Sequence, residues 1–99
     1  MAYLETFRAQ PWLESPLLTQ AGGVQLAGAL QDNPGIDPGA MRILGSYALV
    51  YMVAAQGYYA DVRGVRRDLV TGDIALIFPE LGHAYGPNPG TSWKHLYFV

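Results

Sequence analysis

The sequence of 99 residues contains no cysteine, only two histidines and few charged side chains. Without cysteine, the chain has neither a disulfide framework nor a thiolate metal site. Charged residues make up 14% of the sequence, well below the roughly 25% that is usual in soluble domains. A surface so poor in charge predicts that part of it is covered, either by a partner subunit or by further chain.

Basic clusters and long apolar runs are also lacking. The formal net charge is −2, and the basic residues form no larger cluster than Arg63, Arg66 and Arg67. A duplex-binding surface is strongly basic, so we do not expect this segment to bind DNA itself. No apolar run approaches the ~18 residues of a membrane-spanning helix, and no signal peptide is recognisable. We therefore expect a cytoplasmic domain with no membrane partner.

Short apolar segments separated by turn residues make up most of the chain. Residues 24–30, 47–54 and 74–78 have the length and composition of strands, whereas 33–35 and 37–39 carry the turn signals Asn-Pro-Gly and Asp-Pro-Gly. The segment 47–54 is apolar on both faces, which predicts a central strand covered on each side. No segment has a helical pattern of sufficient length. The sequence therefore predicts an all-β sandwich or barrel with little helix.

Residues 1–23 precede this pattern and have weak periodicity. Pro11 and Pro16 interrupt any regular element, whereas Trp12 and Leu13 are too apolar for a disordered arm. We expect an N-terminal arm, which is either a loop that seals one end of the barrel or a lid that closes over a ligand. Residues 24–99 are expected to form the barrel itself.

Two predicted strands each carry a histidine and a tyrosine two residues apart. Alternate side chains of a strand point the same way, so His83 shares a face with Tyr85, and His95 shares a face with Tyr97. Tyrosine offers a flat apolar face with a hydroxyl tip, and histidine can donate or accept a hydrogen bond. Such a set can line a pocket in a small barrel. Packing in a filled barrel core is the alternative for each of these side chains.

The segment from Gly72 to His83 resembles the second motif of the cupins, which are small double-stranded β-helix, or jelly-roll, barrels. Gly72 and His83 keep the outer spacing of that motif. Phe78 stands where a proline is usual and Pro79 follows it, while Glu80 stands where a glycine is usual. The resemblance implies a cupin-like barrel.

The first cupin motif, which supplies metal ligands as His-x-His followed by Glu, has no counterpart here. The strand on which it would fall, residues 47–56, contains no His, Asp or Glu. With two histidines in the chain, the usual His-rich catalytic metal site cannot be assembled. A site of one histidine, a carboxylate and water is the remaining alternative. We expect no metal, no other cofactor and no catalytic residues.

A longer pattern, over residues 42–99, resembles the N-terminal effector-binding domain of AraC-type transcriptional regulators. Its most specific part is the ending His-x-Tyr … Trp-x-His-x-x-Phe, from His83 to Phe98. The resemblance implies that Tyr85, His95 and Tyr97 contact a sugar-like effector. Aromatic faces and hydrogen-bonding groups suited to such a pocket complete the predicted ligand-binding set: Arg42, Tyr51, His83, Tyr85, His95 and Tyr97.

Two functions follow from these patterns. The first is a non-enzymatic effector-sensing domain, in a homodimer that binds DNA only through a domain beyond Val99. The chain stops at Val99 inside an apolar strand, which indicates a fragment of a longer protein. The second is a small stand-alone cupin enzyme, such as an isomerase or oxygenase. The missing first metal motif favours the sensing domain, so we expect the protein not to be an enzyme.

Overall fold

The computed structural model describes residues 10–13, 17–19 and 22–99. Within them the chain forms antiparallel strands and one short 3-10 helix at Pro38–Ala40. The role of residues 1–23 as a seal or lid lies largely outside the described residues. The strands are, in order, β1 (Gln10–Leu13), β2 (Leu17–Thr19), β3 (Gly22–Val24), β4 (Ala27–Gln31), β5 (Ala48–Ala54), β6 (Gln56–Asp61), β7 (Arg66–Val70), β8 (Ile74–Ile77), β9 (His83–Pro87) and β10 (Lys94–Phe98).

The strands form two main sheets and a separate hairpin. A five-stranded sheet has the order β1-β4-β10-β5-β8, a three-stranded sheet has the order β7-β6-β9, and β2 pairs with β3. Side chains of both main sheets meet in the core, where Val50 and Met52 of β5 join Leu69 of β7 and Tyr85 of β9 around the fully buried Trp93. The all-β architecture predicted from the sequence is confirmed. No helix in the described part of the chain is long and apolar enough to cross a membrane.

The strand predicted over 24–30 is divided in the structure. Strand β3 ends at Val24 and β4 begins at Ala27, so Gln25 and Leu26 lie between them. The backbone N–H groups of Gln25 and Leu26 both donate to the carbonyl oxygen of Val99, at 2.6 and 3.2 Å, and the Val99 N–H donates back to Leu26 at 2.7 Å. Residue 99 therefore satisfies both N–H groups of this break and the Leu26 carbonyl.

Strand β5 is central in its sheet, as predicted, but only one of its faces is covered by the described residues. Val50 and Met52 point into the core and are 1% and 0% exposed, whereas Leu49 and Tyr51 are 36% and 38% exposed. Alternation along the strand accounts for this difference. The opposite surface of the five-stranded sheet, here called the outer face, carries the apolar side chains of Leu49, Tyr51, Ile74, Leu76, Leu96 and Phe98.

The loop between β4 and β5, residues 32–47, is called the wall loop below. It lies directly on β9, because a Cβ atom at Gly35 would come within 2.6 Å of the Gly86 Cα. The N–H of Ile36 donates to the Tyr85 carbonyl at 2.9 Å, and the Tyr58 hydroxyl donates to the Ile36 carbonyl at 2.6 Å. These contacts hold the wall loop against β9 and β6 of the three-stranded sheet.

Candidate functional site

A cavity of about 270 Å³ lies between the wall loop and strands β4, β5, β9 and β10. Most of its lining is aliphatic, from Leu26, Leu30, Ile36, Leu44, Ala48, Val50 and Val99. Five polar or aromatic side chains complete the lining: Asn33, Arg42, Tyr85, His95 and Tyr97. A mostly apolar concavity with a few converging polar groups is the usual construction of a small-molecule site.

Arg42 is bound to strand β9 through its backbone and side chain. Its N–H donates to the His83 carbonyl at 2.8 Å, and the His83 N–H donates to the Arg42 carbonyl at 2.9 Å. Its guanidinium Nη2 lies 3.4 Å from His83 Nε2. The backbone pair fixes the position from which this exposed side chain reaches the cavity.

The proton of His83 is assigned by its two neighbours. A guanidinium can only donate, so Nε2 of His83 accepts from Arg42. Its Nδ1 then carries the hydrogen and donates to the Leu81 carbonyl at 3.2 Å. Burial lowers the pKa of His83, and the charge of Arg42 lowers it further. His83 is therefore a neutral, fully buried side chain. It accepts a hydrogen bond from Arg42 but does not line the cavity.

His95 has the opposite tautomer, because its neighbour is the indole of Trp93. Trp93 Nε1 donates to His95 Nδ1 at 2.7 Å, so Nδ1 has no hydrogen and the ring hydrogen lies on Nε2. Burial, aided by the charge of Arg42, lowers the pKa of His95 to about 4. In the described part of the chain, Nε2 has no hydrogen-bond partner, although it is not fully enclosed by protein. His95 thus offers a neutral N–H donor to the cavity that it lines.

Tyr85 occupies the centre of an aromatic group that joins the two sheets. Its ring stacks on His83 with centroids 5.9 Å apart, lies 6.4 Å from the Trp93 ring, and meets the edge of His95 at 5.9 Å. His95 in turn contacts Tyr97 at 6.1 Å. Burial raises the pKa of Tyr85, and the Arg42 guanidinium acts in the opposite direction. The tyrosine is therefore a neutral hydroxyl at physiological pH.

Asn33 is a site residue that the sequence did not identify. Its Oδ1 atom is buried and has no hydrogen-bond partner in the described part of the chain. A buried acceptor without a donor costs roughly 1–3 kcal/mol, and protein atoms cover this oxygen, so Asn33 lines the cavity with its other atoms. The Asn-Pro-Gly pattern predicted only a turn, and no local signal distinguishes this asparagine from a solvent-exposed turn residue.

The structure brings together four of the six side chains predicted to bind ligand. Arg42, Tyr85, His95 and Tyr97 line the cavity. His83 contacts Arg42 and Tyr85 but does not line it. Tyr51 lies on the outer face, because neighbouring Val50 of β5 points into the cavity. The placement of Tyr51 therefore does not support a pocket role for it.

No carboxylate among the residues that the structure describes lines the cavity. Asp61 of β6 is buried at 3% exposure and accepts hydrogen bonds from the Tyr59 hydroxyl and from Arg63, whose Nη2 lies 2.8 Å away. Hydrogen bonding from Arg63 lowers the pKa of Asp61 to about 2. Over the residues described, no three His, Cys, Asp or Glu side chains are grouped so that they could hold a metal ion.

A second, larger concavity of about 580 Å³ lies on the outside of the molecule, between Tyr47, Arg63 and residues 78–81. It is an open groove whose aromatic pair, Tyr47 and Phe78, meets edge to face at 5.7 Å. The Arg63 guanidinium that lines this groove is already paired with Asp61. The smaller cavity is therefore the better candidate site, since its polar groups converge on a more enclosed volume than that of the groove.

Comparison with known proteins identifies the fold of the chain but not its family. No family model matches the sequence, and no curated protein matches it. A cupin protein from Bacteroides fragilis is 11% identical with a TM-score of 0.59, covering 74% of this chain and 62% of its own. A cupin-like protein from Thermotoga maritima is 21% identical with a TM-score of 0.57, covering 94% and 70%.

An enzyme is also among the similar structures. Hydroxypropylphosphonic acid epoxidase from S. wedmorenis, solved in complex with fosfomycin, is 13% identical with a TM-score of 0.57 and covers 84% of this chain but 48% of its own. At such low identities, likeness in structure shows the fold and leaves function to the site. The chain therefore has an all-β, cupin-like jelly-roll fold.

Proposed function

We propose that this chain is the ligand-sensing domain of an AraC-type transcriptional regulator, with a small-molecule effector bound in the 270 Å³ cavity. The observation that carries the proposal is the convergence of Arg42, Tyr85, His95 and Tyr97 on one partly enclosed, mostly apolar volume. The family resemblance suggests a sugar-like effector. The proposal includes a cytoplasmic homodimer that binds DNA through a domain beyond Val99.

The chemistry of the lining supports binding rather than catalysis. His95 is a weak base, since burial and Arg42 lower its pKa to about 4, and its Nδ1 lone pair is already used by Trp93. Among the described residues, no carboxylate lines the cavity to act as a general acid or base. The available groups can orient a ligand, but they lack a base whose pKa is near neutrality.

A stand-alone cupin enzyme is the second candidate. One observation favours it: the similar structures include an epoxidase as well as cupins without a stated activity. The sensing domain and the enzyme differ in the chemical groups that the cavity must contain. An enzyme of this type would require a metal or a base, whereas a sensor requires only reversible binding.

Two matched variants test whether the cavity binds effectors. Small-molecule mixtures are screened against the purified protein by ligand-observed NMR, and each hit is measured again with Tyr97→Ala and Tyr51→Ala. Tyr97 lines the cavity and Tyr51 lies on the outer face. We expect Tyr97→Ala to weaken binding by about tenfold or more and Tyr51→Ala to leave it unchanged. Equal effects of both variants, or no hit at all, would contradict the proposal.

The regulatory part is tested by reading the gene beyond codon 99. Two helix-turn-helix units are expected there, because this family resemblance implies a DNA-binding region after the barrel. A stop codon directly after Val99 would refute the assignment to a transcriptional regulator and would favour a stand-alone protein.

A further inference from the structure

We propose that the cavity selects a small organic carboxylate with an apolar body and a hydroxyl group, the carboxylate pairing with Arg42. The inference rests on the proposed function, because it names the class of effector for the same site. A neutral sugar, which the family resemblance suggests, is the competing class and becomes an outcome of the test.

The first argument is the charge of the lining. Arg42 brings a guanidinium to the cavity and has no ion-pair partner among residues 22–99. Arg63, by contrast, pairs with the buried Asp61 outside the cavity. The Asn33 amide carries no charge, and burial raises the pKa of Tyr85 and lowers that of His95, so both are neutral near pH 7. The cavity therefore has one positive charge that an anionic ligand would balance.

The second argument is the geometry of the donors. The guanidinium is a planar fork that matches the two oxygens of a carboxylate, and charge-assisted hydrogen bonds of this kind are stronger than neutral ones. Backbone hydrogen bonds to His83 fix the position of the Arg42 backbone, from which the guanidinium extends. His95 Nε2–H is a further donor, because Trp93 has taken the acceptor position on the other ring nitrogen. Donors directed at a cavity that no acidic side chain of the described residues lines favour an acceptor-rich ligand.

The third argument concerns the rest of the ligand. Aliphatic side chains from β4, β5 and the wall loop form most of the wall, which suits a compact apolar body. A volume of about 270 Å³ lies at the small end of ligand sites. Tyr97 lines the cavity and its hydroxyl has no hydrogen-bond partner among the described residues, so a ligand hydroxyl would pair with it. A polyol would leave several hydroxyls against aliphatic walls without partners, which is costly.

The test compares acids with neutral analogues of the same shape. The three hydroxybenzoate isomers are titrated into the purified protein beside their hydroxybenzamides, with arabinose and glucose as the sugar arm, in a buffer without phosphate or carboxylate. We expect at least one hydroxybenzoate to bind about tenfold or more tightly than its amide. Binding is measured by calorimetry or ligand-observed NMR.

Charge variants identify the residue responsible. Arg42→Gln should abolish the preference for acid over amide, whereas Arg42→Lys should retain part of it. Arg66→Gln is the matched control, because Arg66 is an exposed guanidinium on β7 away from the cavity. Melting temperatures measured for every variant show whether the fold is intact, and Arg42→Lys carries the test if Arg42→Gln does not fold.

Each remaining result has a defined meaning. Equal affinity for an acid and its amide would overturn the carboxylate inference while leaving a small-molecule site in place. Sugar binding without acid binding would overturn it in favour of the neutral class. Absence of binding by every acid would also overturn it. In each case, the Tyr97→Ala and Tyr51→Ala comparison and the gene sequence decide separately whether the proposed function stands.

Discussion

The indole N–H of Trp93 donates to Nδ1 of His95 over 2.7 Å, in a part of the core where both side chains are almost fully buried. The same tryptophan is held by its backbone N–H, which donates to Asp32 Oδ1 at 3.0 Å at the start of the wall loop. Because an indole can only donate, this contact leaves the ring hydrogen of the neutral His95 on Nε2, the nitrogen available to the cavity. Trp93 is therefore a positioning residue for the candidate site.

Replacing Trp93 by phenylalanine should destabilise the protein by about 2 kcal/mol or more, since it leaves a buried acceptor on His95 unpaired and creates a cavity. Urea unfolding measures the change. Tyr47→Phe is the control, because Tyr47 is 68% exposed and should cost less than about 0.5 kcal/mol. Similar losses for both variants would show that the indole hydrogen bond contributes nothing. Nitrogen chemical shifts of the His95 ring test the tautomer directly.

Stability should fall as the pH is lowered from about 6.5 towards 4. In that range an unfolded histidine binds a proton, whereas His95 in the folded state does not, because its pKa is lowered from 6.5 to about 4. The unfolded state therefore gains protons, and the free energy of unfolding decreases by no more than about 1.4 kcal/mol per pH unit for this group. The His83 pKa is also lowered, so His83 acts in the same direction.

The control for this pH dependence is His95→Gln, which has no titrating ring. Denaturant unfolding of both proteins is measured at several pH values between 6.5 and 4. The free energy of unfolding should change less steeply with pH for the variant, and the remaining change comes from His83. Parallel curves for the two proteins would exclude His95 as the source.

Glycine is required at position 57 of β6 because the chain passes too close to other groups for a side chain. A Cβ atom there would overlap the Gly86 carbonyl oxygen and the Trp93 ring. Gly57→Ala should therefore lower stability by about 3 kcal/mol. Gly39→Ala is the matched control, since its Cβ would meet Asp37 Oδ1 at an ordinary 3.4 Å. Thermal unfolding of the two variants should differ clearly, and equal melting temperatures would contradict the packing argument.

The purified protein should retain no stoichiometric transition metal after dialysis against a chelator. The reason is the sequence, in which two histidines and an acid-free strand over residues 47–56 leave too few ligands for a three-ligand site. Elemental analysis provides the measurement. Zinc, iron or manganese at one equivalent would contradict this expectation and would support the enzyme candidate.

Self-association through the outer face is expected from its composition. Leu76 and Ile74 on this face are 58% and 56% exposed, beside Tyr51 at 38%. Apolar side chains in neighbouring strands form a continuous patch of the kind that partners cover. Leu76→Lys should weaken the association seen by analytical ultracentrifugation, whereas Val70→Lys, on the other sheet, should not. A monomer at all concentrations would contradict this expectation.

Local patterns predicted the strands over 47–54 and 74–78 and the paired faces, but not the division of 24–30 into two strands or which face meets the cavity. His95 and Tyr97 share a face because the period of two is a property of one strand. Tyr51 looked equivalent to them in the sequence. Its place depends on register: Val50 pairs with Tyr97 on the cavity side, and Tyr51 pairs with Leu96 on the outer side.

The roles of Asn33 and Trp93 could not be derived from sequence for a related reason. Asn33 reaches the cavity only because the wall loop is packed on β9, and Trp93 donates to His95 only in the folded chain. Contacts that depend on both tertiary packing and backbone direction leave no mark in local composition.

The order of strands in the large sheet has a consequence for how the protein folds. Strand β10, the last described strand in sequence, lies between β4 and β5. During synthesis, β4 and β5 cannot pair with β10 until residues 94–98 leave the ribosome. Until then, each of them has one unpaired edge. Pairing over such long separations makes folding slow. His95 and Tyr97 arrive with that same strand, so the cavity is completed only when the sheet closes.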